Sequence, residues 1–357
     1  MKLTPLSLNA PGLEAKSLAE MRWRGAGGWG GWTELVPAWE GTDILVAPGH
    51  LLMIEKERVK DFYAEPMAAE PEVVFDGKYL WASFPSPSRM VAFDQDGTEV
   101  IRVTEADGLP RGRRRIPMLP TEPGRILAAG GCFTDHVQTP SWVATVEIWN
   151  GKGKVKLLLT ANKPWPEAWP VNVADKELRF DPDWIVGHED ATGRNWAFIS
   201  RERIQPLVVD LATLEVTAYP VERMKDPDWF PRLDPPKRAF LSYGGRMYIA
   251  CSRHGFKVLE FDSKTKRMKI QSQYDTDKMS GLYAGNAILD EGWMWIVGEA
   301  KWLRRNIKTG MVETLVKERR SLPGFGSGRV WKMQVSNAYG LVAWQGGELF
   351  HVGVAGE

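Results

Sequence analysis

The side chains best suited to metal binding or proton transfer are five histidines, His50, His136, His188, His254 and His351. None stands at the spacing that closes a zinc site, and Cys132 and Cys251 offer no ligand pair near a histidine. No metal and no cofactor are therefore expected. His188-Glu189-Asp190 is the most ligand-like local cluster, but it runs into Gly193 and reads as a turn. No Gly-x-Ser-x-Gly elbow is present. Gly27 to Gly31 lacks the Lys-Ser/Thr ending and the strand-to-helix setting of a phosphate loop. A second chemistry, recognition by aromatic and basic side chains, is better supplied. Trp165 and Trp169 stand in Lys163-Pro164-Trp165-Pro166-Glu167-Ala168-Trp169-Pro170, and Trp229 in Asp226-Pro227-Asp228-Trp229-Phe230-Pro231. Aromatics held by proline lose little entropy on binding and suit protein or peptide hot spots. Arg89, Arg201, Arg203, Arg253, His254, Lys257 and Lys301, with Arg111, Arg113, Arg114 and Arg115, supply positive charge.

These residues need a scaffold, and a repeat supplies it. A short apolar strand, a turn rich in Asp, Asn, Gly, Lys or Thr, and a second strand recur. Val91-Ala92-Phe93-Asp94-Gln95-Asp96-Gly97 and Leu207-Val208-Val209-Asp210-Leu211-Ala212-Thr213 are two copies. An Asp or Asn entering the turn bonds the backbone ahead of it, and Gly or Asn supplies positive φ. Upstream of each copy stands a glycine followed by an alternating apolar strand: Gly77, Gly124, Gly193, Gly245 and Gly292, with weaker copies at Gly41 and Gly340. The turn anchors Glu55, Asp94, Asn150, Asp210, Asp262, Asn306 and Val352 are 39 to 60 residues apart. Helical periodicity is nearly absent. Seven such units predict an all-β chain forming a single β-propeller of seven blades, four strands each. The long 132–183 region leaves six or eight blades as the alternative count. The last unit has no room for an outer strand, and Lys2 to Leu8 is extended in character. Pairing of the N- and C-terminal strands would close the ring and remove an open edge. The chain then divides into an N-terminal extension, 1–32, holding the closing strand and a Gly/Trp-rich segment, and the propeller, 33–357.

The repeats resemble the β-propeller superfamily of quinoprotein-like, YVTN-like and two-component-regulator-type repeats. Asn306-Ile307-Lys308-Thr309-Gly310 and Asp262-Ser263-Lys264-Thr265-Lys266 come closest to their strand-turn-strand signature, and Thr104-Glu105-Ala106-Asp107-Gly108-Leu109-Pro110 looks like a two-component-regulator blade end. The resemblance implies binding at the face built by the loops between second and third strands and between blades. On it we place Trp165, Trp169, Trp229, Arg201, Arg253, His254 and Arg113. The expected function is non-enzymatic binding of a protein or peptide of anionic character. The alternative is a propeller hydrolase or lyase, metal-assisted or not, with Glu72, Asn286, His136 and His254 at the channel mouth.

Composition bounds the rest. The chain has 357 residues, 43% hydrophobic, with 46 basic against 45 acidic residues and a formal net charge of +1. That excludes a charged disordered chain and argues against nucleic acid as partner. No signal peptide and no 18-residue apolar run is visible, so a soluble chain of unassigned compartment is expected. Two cysteines rule out a disulfide scaffold and read as buried free thiols. Of the 17 tryptophans, Trp81, Trp149, Trp196, Trp293, Trp295 and Trp344 fall in repeat strands and are expected between blades.

Overall fold

The structure is a computed structural model. It describes residues 2–5, 34–47, 50–55, 58–64, 71–85, 87–112, 116–134, 137–160, 184–200, 207–219, 240–251, 255–274, 286–297, 302–316, 332–345 and 348–353. These residues form seven four-stranded antiparallel sheets arranged as the blades of a propeller. Blades one to six span 34–64, 72–104, 118–159, 184–218, 240–274 and 286–316. Blade seven takes three strands from 332–353 and its outermost strand from Lys2–Pro5, which pairs antiparallel with Glu348–Gly353. The ring is thus closed by the two ends of the chain, and the innermost strands touch one another all the way round.

Local chemistry sets the turns. The seven repeat glycines, Gly41, Gly77, Gly124, Gly193, Gly245, Gly292 and Gly340, all have φ between 68° and 94°. Each sits in the turn from first to second strand, where an L side chain is disfavoured. At the turn from third to fourth strand, Asp94, Asp262 and Asn306 accept backbone N–H bonds from residues two to four positions on. Asp210 does the same with Ala212 N. Val352 has no such turn, because its blade borrows the fourth strand from the other end of the chain.

Packing sets the ring. Seven buried clusters fill the seven spaces between neighbouring blades. Strand period two explains how one strand serves two of them. In blade two, Leu80, Ala82 and Phe84 face blade one while Trp81 faces blade three. In blade four, Trp196 and Phe198 face blade five while Ala197 and Ile199 face blade three. Strands buried on both sides read as continuous apolar runs, as these do.

Buried aspartates tie the blades at their first turns. Asp76 accepts from Lys78 N, Tyr79 N, Trp81 Nε1 and, across the blade boundary, Gly124 N, all at 2.7–2.8 Å. Asp43 of blade one accepts from Ser336 Oγ, Asn337 N and Ala338 N of blade seven, and so secures the closure. Burial, its largest influence, pushes the Asp43 carboxyl above the ordinary range despite those bonds.

Two expectations are corrected. Trp149 is not between blades: it ends its strand 58% exposed, with Lys154 over its ring at 4.9 Å. Arg89 and Lys257 are not loop charges. Both are buried in strands, and Arg89 lies over the Phe84 ring while donating to Pro87 O. As expected for two cysteines that do not pair, Cys132 and Cys251 belong to blades three and five, with blade four between them. Among the described residues no helix is long and apolar enough to cross a membrane.

Candidate functional site

Antiparallel connection places the first-to-second and third-to-fourth turns of every blade on one face. The loops between second and third strands and between blades lie on the other. Of the residues assigned to that loop face, Trp165, Trp169, Trp229, Arg201, Arg253, His254 and Arg113 lie outside the described residues, as does His136. Glu72 opens the first strand of blade two and Asn286 the first strand of blade six. Arg111 is exposed and paired with Glu105 at 2.7 Å.

The turn face carries a cavity of about 530 Å³ across blades three, four and five. Its apolar lining includes Leu119 of blade three and Trp196, Leu211 and Leu214 of blade four. Gly187 helps shape this wall, because a Cβ there would stand 3.1 Å from Leu119 Cδ1. Its polar lining includes Glu122 and Arg125 beside the first turn of blade three, His188 and Glu189 from the end of the first strand of blade four, and Arg194 from the turn that follows. Ser242 enters from blade five. The size falls within the range of ligand-binding clefts.

The cations of this wall are already committed. Arg125 bridges Glu122 at 2.5 Å and Glu147 at 2.8 Å, and Lys154 reaches Glu147 at 3.1 Å. Arg194 pairs with Asp210. Burial acts to raise the Asp210 carboxyl, but the Arg194 bond and backbone donors hold it below the ordinary range. Asp190 behaves alike. Burial opposes ionisation, yet bonds from Thr192, Trp196 Nε1 and Arg194 N keep it low. The Trp196 ring is packed edge-on against Phe261 at 5.0 Å, with Lys266 Nζ 3.9 Å from its centroid.

His188 is held between blades. Its Nδ1 is 2.8 Å from Ser242 Oγ, and its ring lies near Phe198 and Phe261. It is 2% exposed, and burial pushes its imidazole from 6.5 down to about 4, with the Asp190 charge acting weakly the other way. The imidazole is therefore neutral at physiological pH. The structure places His188 and Glu189 at the end of a strand and starts the turn at Asp190. Among the described residues no group of His, Cys, Asp and Glu is arranged to hold a metal. The His188-Glu189-Asp190 triplet was the one sequence signal for this cavity. Leu119, Glu122, Leu211, Leu214 and Ser242 carried none, since only blade adjacency brings them together.

No protein-family model matches the chain, and neither does any curated protein. Solved structures do. The extracellular domain attributed to a hybrid two component system from B. thetaiotaomicron matches with a TM-score of 0.54 at 7% identity, covering 91% of this chain and 38% of that one. This chain thus spans well under half of that protein's solved length. The β-propeller domain of Cps50 (Swd1) from Myceliophteria thermophila matches with a TM-score of 0.52 at 12% identity, covering 90% of this chain and 100% of that one. A puromycin hydrolase is more distant, with a TM-score of 0.47 at 13% identity over 85% of this chain and 47% of that one. At these identities the likeness is one of fold: the chain is a seven-bladed β-propeller.

Proposed function

We propose that this protein is a non-enzymatic binding module that holds a segment of another protein or a peptide on its propeller. The observation that carries the reading is the state of the turn-face cavity. It is large enough for one or two side chains and half apolar in character. His188 of its lining, and Asp190 and Asp210 just behind it, are all moved away from neutral pH. A general acid or base works best with a pKa near the operating pH. A wall whose cations are already paired is held in place, and that favours binding by lowering the ordering cost. The loop face, with Trp165, Trp169, Trp229, Arg201, Arg253, His254 and Arg113, is the second surface in this proposal.

The test is selection of binders from a random displayed-peptide library on the immobilised full chain. Enriched peptides are then synthesised and titrated. Micromolar binders that lose at least tenfold in affinity with Leu214→Arg assign the cavity. Loss with Trp165→Ala or Trp229→Ala assigns the loop face. A library that yields no saturable binder refutes the reading. So does mass spectrometry showing that the chain cleaves the peptides it binds.

A further inference from the structure

We infer that the turn-face cavity takes the cationic side chain of a basic peptide segment, a lysine or arginine whose aliphatic stem lies on the leucines and whose head meets Glu189. This rests on the binding reading above and sharpens it. It reverses the charge expected of the partner from the loop arginines.

The balance of charge in the wall favours a cation. An anionic ligand would need a cation not already engaged. Arg125 is held by two carboxylates, and Arg194 by Asp210. Lys266 lies on the Trp196 face, outside the lining, where burial pulls its ammonium pKa down against the charges of Asp210 and Glu215. His188 is neutral. To bind an anion the site would have to break an existing pair, and breaking a partly buried pair leaves one charge uncompensated. Glu189 is the converse. It is exposed at the rim, and its carboxylate has no ion-pair partner among the described residues. Its backbone N–H is already fixed by Ser242 Oγ at 3.4 Å, and the strand register opposite Asn195 holds its position. Asp190, next in sequence and kept ionised by four hydrogen bonds, adds to the negative potential.

The shape of the cavity favours one as well. Leu119, Leu211 and Leu214 line the cavity from two blades. Long basic side chains bury their methylenes on such a surface while the head stays at the wet rim. Guanidinium also satisfies the carboxylate geometry of Glu189 with two parallel bonds. The apolar lining and the carboxylate at the mouth therefore call for one ligand type: an apolar stem of a few carbons ending in a fixed positive charge.

The test uses the full chain and three blocked pentapeptides, glycine throughout except for a central arginine, citrulline or glutamate, titrated by NMR line shifts. Hexylamine separates a free amine from a peptide-borne one. The expected result is saturable binding of the arginine peptide, at least tenfold weaker binding of the citrulline peptide, and none of the glutamate peptide. Glu189→Gln should weaken the arginine peptide about fivefold and Leu214→Ser about as much. Raising salt from about 50 to 500 mM should weaken it further, because the contact is exposed to screening. Citrulline or glutamate binding as well as arginine overturns the inference, as does indifference to Glu189→Gln. Library peptides that bind this cavity but carry no basic residue overturn it while leaving the binding function intact. Tighter binding of hexylamine than of the arginine peptide moves the ligand from a peptide to a free amine and overturns the peptide assignment.

Discussion

His188 should make the fold sensitive to acid. The imidazole is enclosed by Phe198, Phe261 and the Ser242 hydroxyl, and its proton affinity falls from 6.5 to about 4. The unfolded chain therefore takes up this proton at a higher pH than the native protein does. Stability from the neutral imidazole is complete above about pH 6.5, declines as the pH drops, and is gone below about 4. A displacement of that size is worth about 3 kcal/mol at pH 4 and about 1.4 kcal/mol at pH 5.5. The perturbation is His188→Phe, which keeps a ring against Phe198 and Phe261 and removes the titrating group. At pH 7 the variant should be roughly 1 kcal/mol less stable than the parent through the lost Ser242 contact. As pH falls to 4 the order should reverse, the difference moving by about 3 kcal/mol in the variant's favour. Urea midpoints at half-unit intervals of pH, with unchanged slopes, measure this directly. Parallel pH profiles for parent and variant would refute the argument, since they would mean that His188 has the same proton affinity in both states. The comparison is differential, so the other carboxylates cancel unless they touch His188, and Asp190 is the one whose charge acts on it.

Four further outcomes are expected. Removing residues 1–5 leaves Phe350 and Val352 uncovered at an open edge and should lower the melting temperature by roughly 5–10 °C in a calorimeter. Asp76→Ala strands Trp81 Nε1 and Gly124 N in a buried blade junction, and should cost about 3–5 kcal/mol in urea unfolding. Gly245→Ala should be clearly worse than Gly292→Ala by the same measurement. Both sites have positive φ, but only at 245 would a Cβ meet backbone, Ala191 Cα at 2.7 Å; the open site should lose about 1 kcal/mol. Trp142→Ala should destabilise by about 3–5 kcal/mol and Trp149→Ala by less than about 1 kcal/mol, because only the first is enclosed between blades.

What the sequence reveals and what it conceals divide along a physical line. Turn chemistry is local, so a single chain can display it. Gly193 needs positive φ because of its own turn, and Asp262 caps backbone only two and three residues ahead. Seven repetitions of such local facts point to seven blades and to the closing strand, with the long 132–183 region leaving six or eight open until the sheets are seen. Residue type alone misleads where geometry decides. Arg89 and Lys257 look like loop charges, yet each is buried near the start of a strand, and the Phe84 ring accommodates the first. Trp149 shares its residue type and strand setting with Trp81, but it ends its strand beside a solvent-facing turn. The cavity is harder still to read, because its walls come from three blades and meet only once the ring is built. Leu119 and Ser242 have no relation in the sequence. They line one cavity because Gly187 admits Leu119 and because His188 reaches Ser242 across the next boundary. Each blade's turns thus follow from its own residues, whereas a recognition site between blades follows from the closure that puts one blade's turn beside the next. On this argument a substitution at a blade boundary such as Gly187 should alter binding more than it alters the fold. A change within a turn such as Gly193 should do the reverse.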